Sequence, residues 1–305
     1  MAAIKTWIQA LRIPFTTASV LPVILGLAIA WSQGNAWNWG HALLVIFAVA
    51  FLHLGTNAAN DIYDHYSGND AANQYHNAFS GGSRVIQEGK LSPREILFAS
   101  LSLLFAGLLL GMVIAASLQS WTLAFLALAG FLCGFFYTAP PFRLGYLGIG
   151  EFLVFLMFGP IAVLVGYFAL AQGFDLLPLL ASIPVGILVM LILLLAEMPD
   201  LEADKKTAKK TFVVLFGRER AVYFLAISLL IAYLFVGTGV ALRIMPPLTL
   251  LMLLTLPLAV GVLKKAKKHA LEPMGIVPAI GGIITLHAAT TAILIITFIA
   301  LALIG

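Results

Sequence analysis

Nine stretches of this chain are each about twenty apolar residues long, enough to cross the hydrocarbon core of a bilayer as a helix. They cover residues 14–32, 41–60, 95–117, 121–137, 151–171, 178–196, 221–241, 246–263 and 277–304. Backbone N–H and C=O groups surrounded by lipid must find partners inside the membrane, which leaves only helices or a closed barrel. Runs that stay apolar throughout, instead of alternating polar with apolar, select helices. The expectation is an all-α integral membrane protein, with nine transmembrane helices in one bundle and a single domain over residues 1–305. Composition agrees, since 62% of the residues are hydrophobic and 10% charged, far from a water-soluble surface. The first run follows Lys5 and Arg12 and contains Ala28-Ile29-Ala30, which resembles a cleaved signal, but its length favours a retained helix. The one cysteine, Cys133, lies in an apolar run, which excludes a disulfide within the chain and argues against a metal-thiolate centre.

The net charge of +4 reads as topology, not as affinity for nucleic acid. Lys and Arg in short loops stay on the cytoplasmic side. If the N-terminus is cytoplasmic, 16 of the 17 basic residues fall inside, and only Arg243 lies outside. Of the 13 acidic residues, 12 share that side, with Asp175 the exception. The pattern predicts a multi-pass protein of the cell (inner) membrane with its C-terminus outside. Its polar chemistry then faces the cytoplasm, in acidic inner loops at about 57–94 and 197–220.

The first of these loops grows from the second apolar run as Asn57-Ala58-Ala59-Asn60-Asp61-Ile62-Tyr63-Asp64 and continues to Asp70. At 100° per residue, Asp61 lies about 40° from Asn57 and Asp64 about 20° to the other side, so one helical face presents all three. The sixth run ends in Glu197-Met198-Pro199-Asp200-Leu201-Glu202-Ala203-Asp204. If the helix continues through Pro199, Glu197, Asp200 and Asp204 fall within about 60° of one another. Two such clusters, four helices apart, suggest a weak internal duplication whose motifs face each other. A lone acid at a helix end merely meets water. Clustered carboxylates repel unless a cation holds them, and an all-oxygen set suits Mg²⁺ completed by phosphate oxygens.

Donors for phosphate lie nearby. Ser80-Gly81-Gly82-Ser83-Arg84 offers paired glycines that let backbone N–H groups approach an anion, and Arg84 for a forked contact. Lys205, Lys206, Lys209 and Lys210 follow the second cluster, where some serve as anchors against anionic lipid. A third stretch, Tyr137-Thr138-Ala139-Pro140-Pro141-Phe142-Arg143-Leu144-Gly145-Tyr146-Leu147-Gly148-Ile149-Gly150-Glu151, joins the fourth and fifth runs. Glu151 suits a helix N-terminus, while Tyr137 and Tyr146 suit either the interfacial belt or a cavity that stabilises a cation. His65 and His76 lack ligand spacing and are set aside.

Together these stretches resemble the UbiA superfamily of intramembrane prenyltransferases, and within it the branch acting on 1,4-dihydroxy-2-naphthoate in menaquinone synthesis. Asn57, Asn60, Asp61, Asp64, Gly68 and Asp70 fit the family's first acidic motif, and Asp200 and Asp204 the second. Ser80 to Gly89 and Leu144 to Glu151 are similar to its Ser-Gly-Gly-Ser and Leu-Gly-Tyr…Gly-Glu stretches. The chain departs at Ala196-Glu197, where the family often has Asn before the acid, and at Lys210, where it commonly has Arg. The resemblance implies Mg²⁺-dependent transfer from a prenyl diphosphate to an aromatic acceptor. Asp61, Asp64, Asp200 and Asp204 would hold the metal, and Arg84 and Lys209 would neutralise the leaving diphosphate. Asn57, Asn60, Asp70, Tyr137, Glu151 and Glu197 complete the expected substrate-binding set, with Asn57, Tyr137 and Glu151 the candidates for handling the acceptor. Other acceptors of the 4-hydroxybenzoate, homogentisate, chlorophyllide or haem type are alternatives. An ion-coupled transporter is the competing class, and its acids belong at mid-helix.

Overall fold

The computed structural model describes residues 3–304. In chain order the elements are α1 (Ile4–Ala10), a 3₁₀ turn (Ile13–Thr16), α2 (Thr17–Ser32), α3 (Trp39–Tyr66), α4 (Asn69–Ala72), α5 (Pro93–Ser117) and α6 (Trp121–Phe136). A 3₁₀ turn (Leu144–Tyr146) leads to α7 (Gly150–Leu156), which runs through a π turn (Met157–Ile161) into α8 (Ala162–Ala171). Then come α9 (Leu176–Lys206), α10 (Phe212–Phe216), α11 (Arg218–Ala241), a 3₁₀ stretch (Pro247–Thr255) continuing as α12 (Leu256–Lys268), and α13 (Val277–Ile304). Among the described residues there is no strand, only an isolated bridge between Leu147 and Lys210.

Among the described residues, eight helical segments are long and apolar enough to cross a membrane. The run expected as the fourth crossing forms α6, a helix of 16 residues, which spans about 24 Å at 1.5 Å per residue. Where nine full-length spans were expected, the described residues therefore give eight, with α6 a shorter apolar helix. Two helices run further than their apolar stretches. α3 carries on to Tyr66 and α9 passes through Pro199 to Lys206, so both acidic motifs are helical.

The helix starts follow local chemistry. Ser92 and Glu95 close a reciprocal capping box on α5, with Pro93 at the first helical position. Asn38 caps α3, and the Asp175 carboxylate accepts from Leu177 N–H at the start of α9, 2.7 Å away.

In lipid, helices associate by close packing more than by hydrophobic exclusion, which favours small residues at contacts. The contact of α2 with α8 is built that way: a Cβ on Gly26 would lie 2.0 Å from the Val163 carbonyl oxygen, and one on Gly166 2.2 Å from that of Val23. The side chains turned outward, among them Phe98, Leu109, Phe125, Leu230 and Leu234, are the apolar ones a bilayer requires.

Candidate active site

The ends of α3 and α9 meet at one rim of the bundle and are joined by side-chain hydrogen bonds. Asn69, on α4, donates from Nδ2 to Asp204 Oδ1 at 2.9 Å and to Thr207 Oγ1 at 2.8 Å. Asn73 Nδ2 donates to Asp200 Oδ1 at 2.7 Å, and Gly81 N–H to Asp200 Oδ2 at 3.3 Å. Lys209 Nζ reaches Asp64 Oδ2 at 3.0 Å, and the Tyr146 hydroxyl donates to Asp64 Oδ1 at 2.7 Å. Three loops distant in sequence thus close on one cleft of about 580 Å³.

The glycines of these loops have defined tasks. Gly81 and Gly82 have φ of +80° and +77°, a left-handed backbone that costs glycine least, and this turn aims the Gly81 N–H at Asp200. A Cβ on Gly145 would lie 2.8 Å from the Tyr137 ring, and one on Gly150 2.9 Å from its hydroxyl. The Leu144–Glu151 stretch is therefore a flat bed for Tyr137.

The expected site residues divide into those that line the cleft and those that support it. Asn60, Asp64, Asp70, Tyr137, Glu197, Asp200, Asp204 and Lys209 line it, joined by Arg12. Asp61 does not line it. Its carboxylate is paired with Arg12 and accepts from Ser83 N–H, 3.2 Å from each oxygen. Asn57 donates to the Leu11 carbonyl at 3.4 Å, Arg84 to the Asp70 carbonyl, and Glu151 accepts from Phe212 N–H. These three brace loops instead of lining the cleft. Arg12 reads in the sequence as a topological charge, and Asn69 and Asn73 as ordinary loop amides. The four-residue interval between the two asparagines in an acidic loop is the one signal that marks them.

Charge in the cleft is unbalanced. Five carboxyl groups, Asp64, Asp70, Glu197, Asp200 and Asp204, share it with two cations, Arg12 and Lys209. Burial pushes the Asp70 carboxyl up to about 8, Asp64 and Asp61 push the same way, and Arg12 and Lys209 only partly offset this. Burial works against the Lys209 charge, yet Asp64 and Asp204 hold its ammonium well above the ordinary lysine range. Among the described residues no three Asp, Glu, His or Cys side chains are gathered tightly enough to hold an ion by themselves. The donors nonetheless fit Mg²⁺, which takes one or two carboxylates and completes its shell with phosphate and water. Two buried oxygens at the cleft, Asn60 Oδ1 and Glu197 Oε2, have no partner among the described residues, and an oxygen without a donor suits a cation.

Tyr137 also lines a second space, a largely apolar cavity of about 1030 Å³ between α2, α3, α5, α6, α7 and α8. The charged cleft and the apolar cavity therefore share a wall.

Residues 19–274 match the family model described as UbiA prenyltransferase family. The chain is 29% identical to a 2-carboxy-1,4-naphthoquinone phytyltransferase of Synechocystis sp., over 88% of this chain and 85% of that one. It is 31% identical to a 1,4-dihydroxy-2-naphthoate octaprenyltransferase of Bacillus subtilis, over 86% and 82%. Its fold is similar to that of a UbiA homolog from Archaeoglobus fulgidus solved with DMAPP and Mg²⁺, with a TM-score of 0.59 and 17% identity over 98% of this chain and 100% of that one.

Proposed function

This chain belongs to the UbiA prenyltransferase family and is a multi-pass membrane prenyltransferase, and from that premise we propose its reaction: Mg²⁺-dependent transfer of a polyprenyl group from a prenyl diphosphate to 1,4-dihydroxy-2-naphthoate, a step of menaquinone biosynthesis. The names of the Synechocystis and Bacillus relatives support the naphthoate acceptor. One observation carries the chemistry. Two acidic helix ends, tied by Asn69–Asp204, Asn73–Asp200 and Lys209–Asp64, border an apolar cavity through Tyr137.

The arrangement suits a substrate with a doubly charged head and an oily tail. Mg²⁺, when bound, neutralises diphosphate oxygens as the carbon–oxygen bond breaks. Asp64, Asp200 and Asp204 would hold it, while Asp61, which does not line the cleft, fixes Arg12 beside them. Lys209 and Arg12 supply fixed positive charge where the leaving group gains negative charge. The electron-rich ring of Tyr137 faces the end of the cavity where the allylic cation develops. The isoprenoid tail belongs in the apolar cavity, where water is excluded and the cation is kept from hydrolysis. Arg84, Asn57 and Glu151 hold the loops that carry these groups.

The topology we assign has nine crossings, with the N-terminus and the active site cytoplasmic and the C-terminus outside. The short α6 counts as a crossing because Tyr146, beyond its end, bonds Asp64 at the end of α3, so the chain that leaves that rim in α5 returns to it in α6. The charge distribution supports the orientation.

The test is an assay on membranes containing the protein, with a labelled prenyl diphosphate, 1,4-dihydroxy-2-naphthoate or 4-hydroxybenzoate, and Mg²⁺ or EDTA. Transfer to the naphthoate, abolished by EDTA and restored by Mg²⁺, is the expected result. Preference for 4-hydroxybenzoate would reassign the acceptor, and full turnover in EDTA would remove the metal from the mechanism.

A further inference from the structure

The wall of the apolar cavity carries few polar side chains, chiefly Ser19, His53, Thr56 and Tyr137. Two of the hydroxyls are already committed. Thr56 Oγ1 donates to the Leu52 carbonyl at 2.8 Å, and Ser19 Oγ donates to the Thr16 carbonyl at 3.0 Å.

The second bond bears on His53, whose Nδ1 lies 2.9 Å from Ser19 Oγ. A hydroxyl that gives its one proton to a carbonyl is left to accept, and with Ser19 so bonded to Thr16 the imidazole holds its proton at Nδ1 and presents a lone pair at Nε2. Phe158 packs edge-on against the imidazole, with ring centroids 4.9 Å apart, so the ring is held on two sides. Among the described residues Nε2 has no hydrogen-bond partner. A fixed acceptor on an apolar wall is costly to leave unpaired, and a leucine or phenylalanine would fill the same space without that cost.

The substrates decide what such an acceptor meets. A prenyl tail has no hydrogen-bond donor, and a diphosphate offers mainly acceptors. Of the groups that the substrates bring, the donor is a hydroxyl on the aromatic ring. His53 lies one helical turn before Asn57 and two turns before Asp61, about 12 Å along α3 at 1.5 Å per residue, between the charged cleft and the body of the cavity. We propose that His53, oriented by Ser19, is a specificity-determining residue that accepts a hydrogen bond at Nε2 from a ring hydroxyl of the aromatic acceptor and so sets the ring's position. No net proton transfer is involved. The bond selects hydroxylated aromatics over equally apolar rings that lack the hydroxyl.

This inference rests on the prenyltransferase reading, and the experiment separates the two. In full-length protein, His53→Phe, His53→Gln and Ser19→Ala are compared with the unaltered chain for the KM of each substrate and for kcat. Binding of a prenyl diphosphate with Mg²⁺ is followed separately, as a check that each variant is folded. His53→Phe is expected to lower kcat/KM for the aromatic acceptor at least tenfold, with prenyl diphosphate binding changed less than twofold. His53→Gln, whose amide oxygen can accept, should recover part of the loss. Ser19→Ala should give an intermediate loss, since it frees the tautomer without removing Nε2. The same drop should not appear for an acceptor whose ring hydroxyl is methylated, which is already poor with the unaltered protein. An unchanged acceptor kcat/KM in His53→Phe overturns the proposal, as does a loss confined to prenyl diphosphate, which would place His53 against the tail. If His53→Phe fails to bind prenyl diphosphate, His53→Gln and Ser19→Ala decide, and acceptor parameters unchanged in both overturn it. Absence of transfer to every acceptor by the unaltered protein would instead sink the prenyltransferase reading itself.

Discussion

Asp200 shows how one side chain can serve both structure and chemistry. Its two oxygens take hydrogen bonds from Asn73 and Gly81, so it helps tie the first motif's loop to α9 while facing the cleft. Asp200→Asn keeps an oxygen for Asn73 and loses the charge. We predict a loss of transfer rate of about 10²-fold or more, the scale of losing one fixed electrostatic group in an active site, with membrane insertion unchanged. Single-turnover rates and detergent-extracted yield check it. Asp70 carries a different burden, because its carboxyl is pushed up to about 8 by burial and by Asp64 and Asp61. The sign follows from linkage. A carboxyl raised in the folded state favours folding at acid pH, and that contribution is lost as pH rises from the unfolded value near 4 through about 8. In EDTA, the melting temperature should therefore fall between pH 6 and 9, and Asp70→Asn should flatten that fall. An identical slope in the variant would show that Asp70 is not its source.

At the level of helices, legibility in the sequence tracked whether a property is local. Apolar runs announce spans because each residue of a span must be apolar whether it meets lipid or a neighbouring helix, so each of the nine runs has a helix at its place. The run expected for α6 is longer only by Tyr137, the C-cap residue, whose ring lies on Gly145 and Gly150. The passage of α9 through Pro199 was left open by the sequence, since a proline breaks or only kinks a helix according to its packing. Pairings across the site were harder to read. Arg12 looks like any basic residue ahead of a first span, and only the folded chain sets it beside Asp61. Spacing on a shared face points to Asp64, Asp200 and Asp204, which line the cleft, whereas Asp61, Asn57 and Arg84 share that neighbourhood but turn to Arg12 and to the Leu11 and Asp70 carbonyls. The contact of α2 with α8 offers a test at this scale. Gly26→Val should destabilise the protein by about 1–3 kcal/mol, the usual cost of overpacking, because Val163 backbone occupies the space. Gly237→Val is the control, since nothing lies within 4 Å of the added Cβ. Thermal unfolding of the two in one detergent makes the comparison, and equal melting points would mean that α2 and α8 can separate without cost.

For the whole molecule, the surplus of acids makes stability depend on what is bound. A ligand that binds only the folded state raises stability by RT ln(1 + [L]/Kd), about 2.7 kcal/mol at a hundredfold excess over Kd. Mg²⁺ with inorganic pyrophosphate should raise the melting temperature more than Mg²⁺ alone, and pyrophosphate in EDTA should raise it little. The anion brings oxygens that would complete the ion's shell, while the ion would offset Asp64, Asp200 and Asp204. An equal rise with pyrophosphate in EDTA would mean that the cleft holds the anion through Arg12 and Lys209 alone.

The two ion pairs at the rim also differ in when they can first form. Arg12 and Asp61 are 49 residues apart, whereas Asp64 must wait for Lys209, 145 residues downstream. As the polypeptide leaves the ribosome, one aspartate finds its counterion while the next helices are still being made, and its neighbour stays uncompensated until most of the chain has been inserted. A nascent chain stalled before Lys209 would therefore display an uncompensated acidic ledge at the rim where α3 ends.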